Sequence, residues 1–161
     1  MPVVLFVCTA NIIRSPMAEA MFKEMIGSRG IASQWQARSA GTWGKDGYPA
    51  HPHAVQALRR RGIYLPGHRS RIITQAIIDS ADLILTMERD HKEALHAEFP
   101  AKRQSIYMLS ETVGKRSDVA DPVQKPPAYF EKTASTIQEI LESGFEEILR
   151  MAQPISDIFA R

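Results

Sequence analysis

The chain holds a single cysteine, Cys8, and it opens the run Cys8-Thr9-Ala10-Asn11-Ile12-Ile13-Arg14-Ser15-Pro16. A thiolate is the nucleophilic form of cysteine, and arginine carries a planar fork that matches two oxygens of a tetrahedral oxyanion, a geometry lysine does not reproduce. Backbone N–H groups in a turn that enters a helix attract the same anion, and such surroundings also favour an ionised thiol. The spacing therefore points to attack by the Cys8 sulfur on a phosphate monoester held by Arg14 and the loop Thr9 to Ser15, a reaction that needs no metal ion. The plain structural alternative makes Cys8 a small buried hydrophobe at a strand end and Arg14 a surface cation. The apolar strand before the run, Asn11 within it and Ser15-Pro16 after it favour the chemical reading.

The elements that would position this loop follow from hydrophobic periodicity. Val3 to Val7 reads as a fully buried strand, and Ala18, Met21, Phe22, Met25 and Ile26 recur at helical spacing until Gly27 and Gly30. Ser15 is expected as N-cap of that helix, with Pro16 at its first position. A second strand is predicted from Gln34 to Ser39, then a loop from Trp43 to Pro52 and a helix from His53 to Arg61 closed by Gly62. A short helix over Thr74 to Ser80 leads to a third strand, Asp82 to Thr86. A helix over Glu88 to Glu98, a fourth strand near Ser105 to Leu109 and a long loop from Asp118 to Pro127 follow. Ile137, Leu141, Ile148 and Ala152 mark one face of a C-terminal helix, which Gly144 is expected to weaken by about 1 kcal/mol relative to alanine. Strands alternating with helices argue for an α/β fold with a parallel sheet covered on both faces. In such folds ligands sit beyond the carboxyl ends of the strands, where Cys8, Ser39 and the acidic loop all fall.

A chain of 161 residues suits one domain and is long enough to bury roughly two-thirds of its unfolded surface. With 44% hydrophobic and 24% charged residues, disorder and membrane insertion are disfavoured. A formal charge of +2 is too small to argue for nucleic acid. Arg59-Arg60-Arg61 reads as a solvated helix face. No secretory signal is visible, and a lone cysteine excludes a disulfide framework, so the cytoplasm and a monomer are the default expectations. His51 and His53 flank a proline without a completing carboxylate or cysteine, and His91 and His96 do not share a helix face, so no metal site is expected.

At its loop the chain resembles the low-molecular-weight protein tyrosine phosphatases, whose pattern is Cys-x5-Arg followed by Ser or Thr near the N-terminus. The resemblance continues through Ser39-Ala40-Gly41-Thr42, Gly62-Ile63, His68-Arg69-Ser70-Arg71, Ala81-Asp82-Leu83-Ile84-Leu85-Thr86-Met87 and Asp121-Pro122, across nearly the whole chain. It implies a single three-layer phosphatase domain over 1–161 with a four-stranded parallel sheet in the order 2-1-3-4. It further implies Cys8 as nucleophile, Arg14 as phosphate clamp and Asp121 as general acid, with a phosphorylated protein or peptide as substrate and no cofactor. Asn11, Ser15, Ser39 and His68 are implied to form a polar network that holds the loop. Asp118 lies on the same loop as Asp121; Pro122 restrains Asp121 toward an extended backbone and favours it.

Three positions depart from the family's pattern, and a fourth, Ile12, departs from that of a related branch. Ala10 stands where glycine is usual and would be strained if that residue needed a positive φ. Ile13 replaces a frequent second cysteine, which removes a disulfide partner for an oxidised Cys8 and argues against disulfide-shuttling arsenate reductases. Val123 replaces an aromatic cleft wall, with Trp43 and Tyr48 as other aromatic cleft candidates. Ile12 bears on a related branch that dephosphorylates arginine and usually carries threonine there; His51-Pro52-His53-Ala54-Val55 resembles that branch. An apolar Ile12 suits an aromatic ring and leaves guanidinium nitrogens unpartnered, which favours phosphotyrosine over phosphoarginine. A non-catalytic phosphopeptide-binding module is the remaining alternative, and the joint presence of Cys8, Arg14 and Asp121 argues against it.

Overall fold

A computed structural model describes residues 1–153. Four strands, β1 (Val3–Cys8), β2 (Gln36–Gly41), β3 (Leu83–Thr86) and β4 (Ile106–Met108), form one parallel sheet in the order β2-β1-β3-β4. The helices are α1 (Arg14–Ser28), α2 (Pro52–Arg59), α3 (Gln75–Asp79), α4 (Arg89–Glu98) and α5 (Pro127–Ala152). β1 is central and buried on both faces, which is why it reads as an unbroken apolar run. Its alternate side chains serve two cores: Val4, Phe6 and Cys8 pack with residues of α1, α2 and α5, and Leu5 and Val7 pack with residues of α3 and α4. Phe6, Phe22 and Phe145 form the centre of the first core, with successive ring centroids 5.7 Å apart. Each fully buried ring of this kind contributes about 2 to 3 kcal/mol from burial.

The sheet order, the parallel pairing and all four strands match the expectation. β2 begins two residues later than predicted, because Ala32–Gln34 closes a 3-10 turn after α1, and it extends to Gly41 because Gly41 pairs with Cys8. A Cβ at Gly41 would lie 2.5 Å from the Thr9 carbonyl oxygen and 3.1 Å from the Asn11 nitrogen. Glycine is thus what lets β2 run alongside the start of the Cys8 loop. Thr74 and Ser80 bracket α3 as caps, the Thr74 hydroxyl accepting from the Ile77 N–H. Arg61 departs from the solvated face expected for it. Its guanidinium donates to Glu131 Oε2 at 2.7 Å, the Ala57 carbonyl at 2.8 Å and the Ser135 hydroxyl at 2.8 Å, which fastens the end of α2 to α5.

Gly144 also reverses its expected role. It faces the 3-10 turn after β4, and a Cβ there would sit 2.6 Å from Thr112 Oγ1 and 3.1 Å from Thr112 Cβ. Thr112 cannot swing aside freely, since its hydroxyl donates to the Leu109 carbonyl at 2.7 Å. Close helix approach outweighs the helix propensity gained from alanine, so Gly144→Ala is expected to destabilise the fold by about 1 to 3 kcal/mol. Urea denaturation checks the sign, and an increase in stability would contradict it.

Candidate active site

The Cys8 loop leaves the end of β1, reverses over the sheet edge and enters α1. Its turn is made by Asn11, whose φ of 59° is left-handed; asparagine tolerates that conformation better than most residues because its short polar side chain bonds locally. Ala10 does not have a positive φ, so its methyl group is accommodated without backbone strain. The Asn11 side chain spans the loop: Nδ2 donates to Ser15 Oγ at 2.8 Å, and Oδ1 accepts from the Arg71 N–H at 2.9 Å. The Asn11 carbonyl oxygen is 2.8 Å from His68 Nε2. The segment His68 to Arg71 therefore clamps the turn from outside.

Two details of this network correct the sequence reading. α1 begins at Arg14 with Ile13 in the N-cap position and no side-chain cap. Ser15 is drawn inward instead, its hydroxyl 3.0 Å from Cys8 Sγ, so the serine serves the thiol and the asparagine rather than the helix end. Ser39 is 1% exposed, yet its hydroxyl finds no hydrogen-bond partner among the described residues. It joins the network through its carbonyl, which accepts from Arg71 Nη2 at 3.3 Å.

Arg14 is 1% exposed. Its Nη1 donates to Glu88 Oε2 at 2.7 Å and to the Val119 carbonyl at 2.8 Å; Nη2 reaches Thr9 Oγ1 at 3.3 Å and Asp121 Oδ2 at 3.4 Å. Glu88 and His91 join the site through contacts that no sequence motif announces. His91 is buried, with Nε2 2.9 Å from Thr9 Oγ1 and Nδ1 3.1 Å from the Glu88 N–H. Burial, followed by the Arg14 charge, lowers its pKa from the ordinary histidine value. The one available signal was placement, since Glu88 and His91 follow the third strand, at the carboxyl edge where sites gather.

Cys8, Ala10, Ile12, Ile13, Arg14, Asp121 and Val123 line a small pocket of about 40 Å³. Asp121 is held by its own turn, Oδ1 accepting from the Val123 N–H at 3.0 Å. Asp118 is committed elsewhere, capping α4 by accepting from the Arg89 N–H at 2.8 Å. Trp43 is 77% exposed and Tyr48 53%, and neither lines this pocket, whereas Ile12 and Val123 do. Ile12 is tied to α2 by its carbonyl, which accepts from the His51 N–H at 2.8 Å. His51 and His53 are not free surface polarity either. His51 Nδ1 caps α2 by accepting from the His53 N–H at 3.1 Å, and both rings pack on Phe130. A larger cavity of about 520 Å³ touches Ser39 and His68 but neither Cys8 nor Arg14, so the pocket that the thiol faces is the small one.

A doubly covered parallel sheet with a thiol and a buried guanidinium in one loop at its carboxyl edge defines a phosphate-binding cysteine-loop protein. The model of the low molecular weight phosphotyrosine protein phosphatases matches residues 3–153, and the chain belongs to that family. It is 37% identical over 139 residues to a protein-arginine-phosphatase of Bacillus subtilis, covering 86% of this chain and 91% of that one. It is 36% identical over 145 residues to a probable low molecular weight protein-tyrosine-phosphatase of Ralstonia nicotianae, covering 90% of this chain and 94% of that one. A solved low molecular weight protein tyrosine phosphatase from T. tengcongensis superposes with a TM-score of 0.86 at 35% identity, covering 91% of this chain and 99% of that one.

Ile13 is buried and Cys8 is the only cysteine of the chain, so an oxidised Cys8 has no internal thiol to condense with. Peroxide is expected to carry Cys8 past sulfenic acid to sulfinic acid, which thiols do not reduce. Intact-mass analysis after peroxide and then dithiothreitol checks this. Full return to the unmodified mass after strong oxidation would contradict it.

Proposed function

We propose that residues 1–161, of which 154–161 lie outside the described residues, form one phosphatase domain that hydrolyses phosphotyrosine in proteins or peptides. The observation that carries this reading is the pocket in which Cys8, Arg14 and Asp121 meet beside two apolar side chains, Ile12 and Val123. In the proposed reaction the Cys8 sulfur attacks phosphorus in line. The S–P bond forms as the bond from phosphorus to the leaving oxygen breaks. Backbone N–H groups of the loop and Arg14 stabilise the equatorial oxygens, and protonated Asp121 gives its proton to the departing oxygen. The Asp121 carboxylate then accepts a proton from water as that water displaces sulfur from the cysteinyl-phosphate. Asp121 is preferred over Asp118 because its contact with Arg14 is long, at 3.4 Å, and replaceable by a phosphoryl oxygen, whereas Asp118 holds the start of α4. A lone nucleophilic thiol fits a reducing compartment, which supports a cytoplasmic location, with a monomer as the proposed working form.

Cys8→Ser is expected to abolish turnover of any phosphomonoester. Asp121→Asn is expected to lose most of the rate on substrates with poor leaving groups and much less on activated aryl phosphates; an equal loss on both would remove Asp121 from the acid role.

Relatives named for tyrosine and for arginine dephosphorylation stand at almost the same identity, so overall similarity does not choose between the two substrates. Ile12 and Val123 support the aromatic substrate: they give a tyrosyl ring apolar surface and give guanidinium N–H groups no acceptor. Phosphotyrosine peptides are expected to be turned over with the higher kcat/KM, and Ile12→Thr to shift the ratio toward phosphoarginine. A preference of the unaltered protein for phosphoarginine would overturn the choice.

A further inference from the structure

His91 is 6% exposed, in the first turn of α4, and both of its ring nitrogens are engaged. Nδ1 faces the Glu88 N–H and so accepts from it, which places the single hydrogen of the neutral ring on Nε2. Nε2 then donates to Thr9 Oγ1 at 2.9 Å, and the same oxygen accepts from Arg14 Nη2 at 3.3 Å. Thr9 Oγ1 thus has both lone pairs occupied, one by the histidine and one by the arginine. The residue whose N–H the ring captures is Glu88, whose carboxylate holds the other Arg14 nitrogen at 2.7 Å. One imidazole therefore grips two supports of the guanidinium at once.

We propose that His91 is a positioning residue of the phosphate clamp: as the neutral Nε2–H form it sets Thr9 and Glu88 around Arg14, and its protonation loosens the hold of the loop on a tetrahedral dianion. This rests on the reading of Arg14 as the clamp. Protonation would put a second hydrogen on Nδ1, directly opposite the Glu88 N–H, and two facing donors force the ring to turn away from Glu88, Thr9 or both. The charged groups around the ring are Arg14 from α1, Glu88 and Asp90 at the start of α4, and Asp118 from the long loop. Burial and Arg14 disfavour the imidazolium, and the three carboxylates favour it. The balance lowers the pKa, so the ring is neutral at pH 7. With the folded value below the unfolded one, the stability linked to His91 is complete above the unfolded value of about 6.5 and is lost as pH falls from there through the folded value.

Two substitutions separate positioning from helix capping. His91→Asn leaves an oxygen near the Nδ1 position to accept from the Glu88 N–H but does not extend to Thr9. His91→Gln carries an amide nitrogen out to the Nε2 position and does not titrate. The probe is sulfate, a tetrahedral dianion whose own charge is constant between about pH 5 and 8, the range in which histidine titrates; its binding is followed by calorimetry alongside thermal melts. His91→Asn is expected to keep the melting temperature and to weaken sulfate about five- to ten-fold at neutral pH, the scale of one lost hydrogen bond between neutral groups. His91→Gln keeps the contact to Thr9 and gives up the one to the Glu88 N–H, so it is expected to weaken sulfate less than His91→Asn at neutral pH and to lack part of the loss that the unaltered protein shows on acidification. Thr9→Val provides a second route: it is expected to weaken sulfate by the same factor, and combining it with His91→Asn to add nothing further.

Unchanged sulfate affinity in His91→Asn, an acid-side loss in His91→Gln equal to that of the unaltered protein, or additive losses with Thr9→Val would each overturn the proposal. Failure of the phosphatase reading looks different, because it is an absence of phosphomonoester turnover in a protein whose sulfate binding still depends on His91.

Discussion

A guanidinium with 1% exposure cannot be left without partners, and the site is organised around answering Arg14. Its partners come from three separate loops, each following a strand of the sheet: Thr9 after β1, Glu88 after β3, and Val119 and Asp121 after β4. The short pair with Glu88 at 2.7 Å carries most of that answer, and the longer contacts to Thr9 and Asp121 draw their loops to the same guanidinium. Parallel strands make this possible because all their carboxyl ends open on one edge. Residues as distant in the chain as Thr9 and Asp121 meet there without any local sequence relation.

The loop itself rests on a second constraint, the left-handed turn at Asn11. Its backbone carbonyl is met by His68, its side-chain oxygen by the Arg71 N–H and its side-chain nitrogen by Ser15. Ser15 passes the arrangement on to the sulfur of Cys8. The thiol is therefore oriented by a chain of hydrogen bonds that begins on the far side of the turn, and the bare face of Gly41 leaves room for the loop to lie against β2. Polar networks of this kind are stiff when every member is satisfied. At its margin the hydroxyl of Ser39 has no partner among the described residues.

Substrate choice lies outside both constraints. Proteins named for tyrosine and for arginine dephosphorylation are nearly equally similar to this chain, which is what a shared phosphate cradle would produce when only the wall around it differs. In this chain Ile12 on the loop and Val123 after Asp121-Pro122 line the pocket beside Cys8 and Arg14, with Ile12 tied through its carbonyl to the start of α2.

The strand order came only with the family resemblance, while the sequence by itself determined the parallel sheet and the loop with Cys8 and Arg14. These depend on local signals: the apolar run of β1, the helical spacing of α1, and a nucleophile and clamp only six positions apart. Where two local preferences competed, tertiary packing chose. Ser15 left the helix cap for the thiol, Arg61 left the solvent for α5, and Gly144, a weak helix former on propensity alone, became a contact that alanine would obstruct. Only the three-dimensional structure could bring forward Glu88 and His91, assign Asp118 to the start of α4 and leave Asp121 beside the arginine. The physical reason is common to all of these. A chain shows what each residue is able to bond, but which partner it takes depends on distances between strand ends that no local spacing encodes.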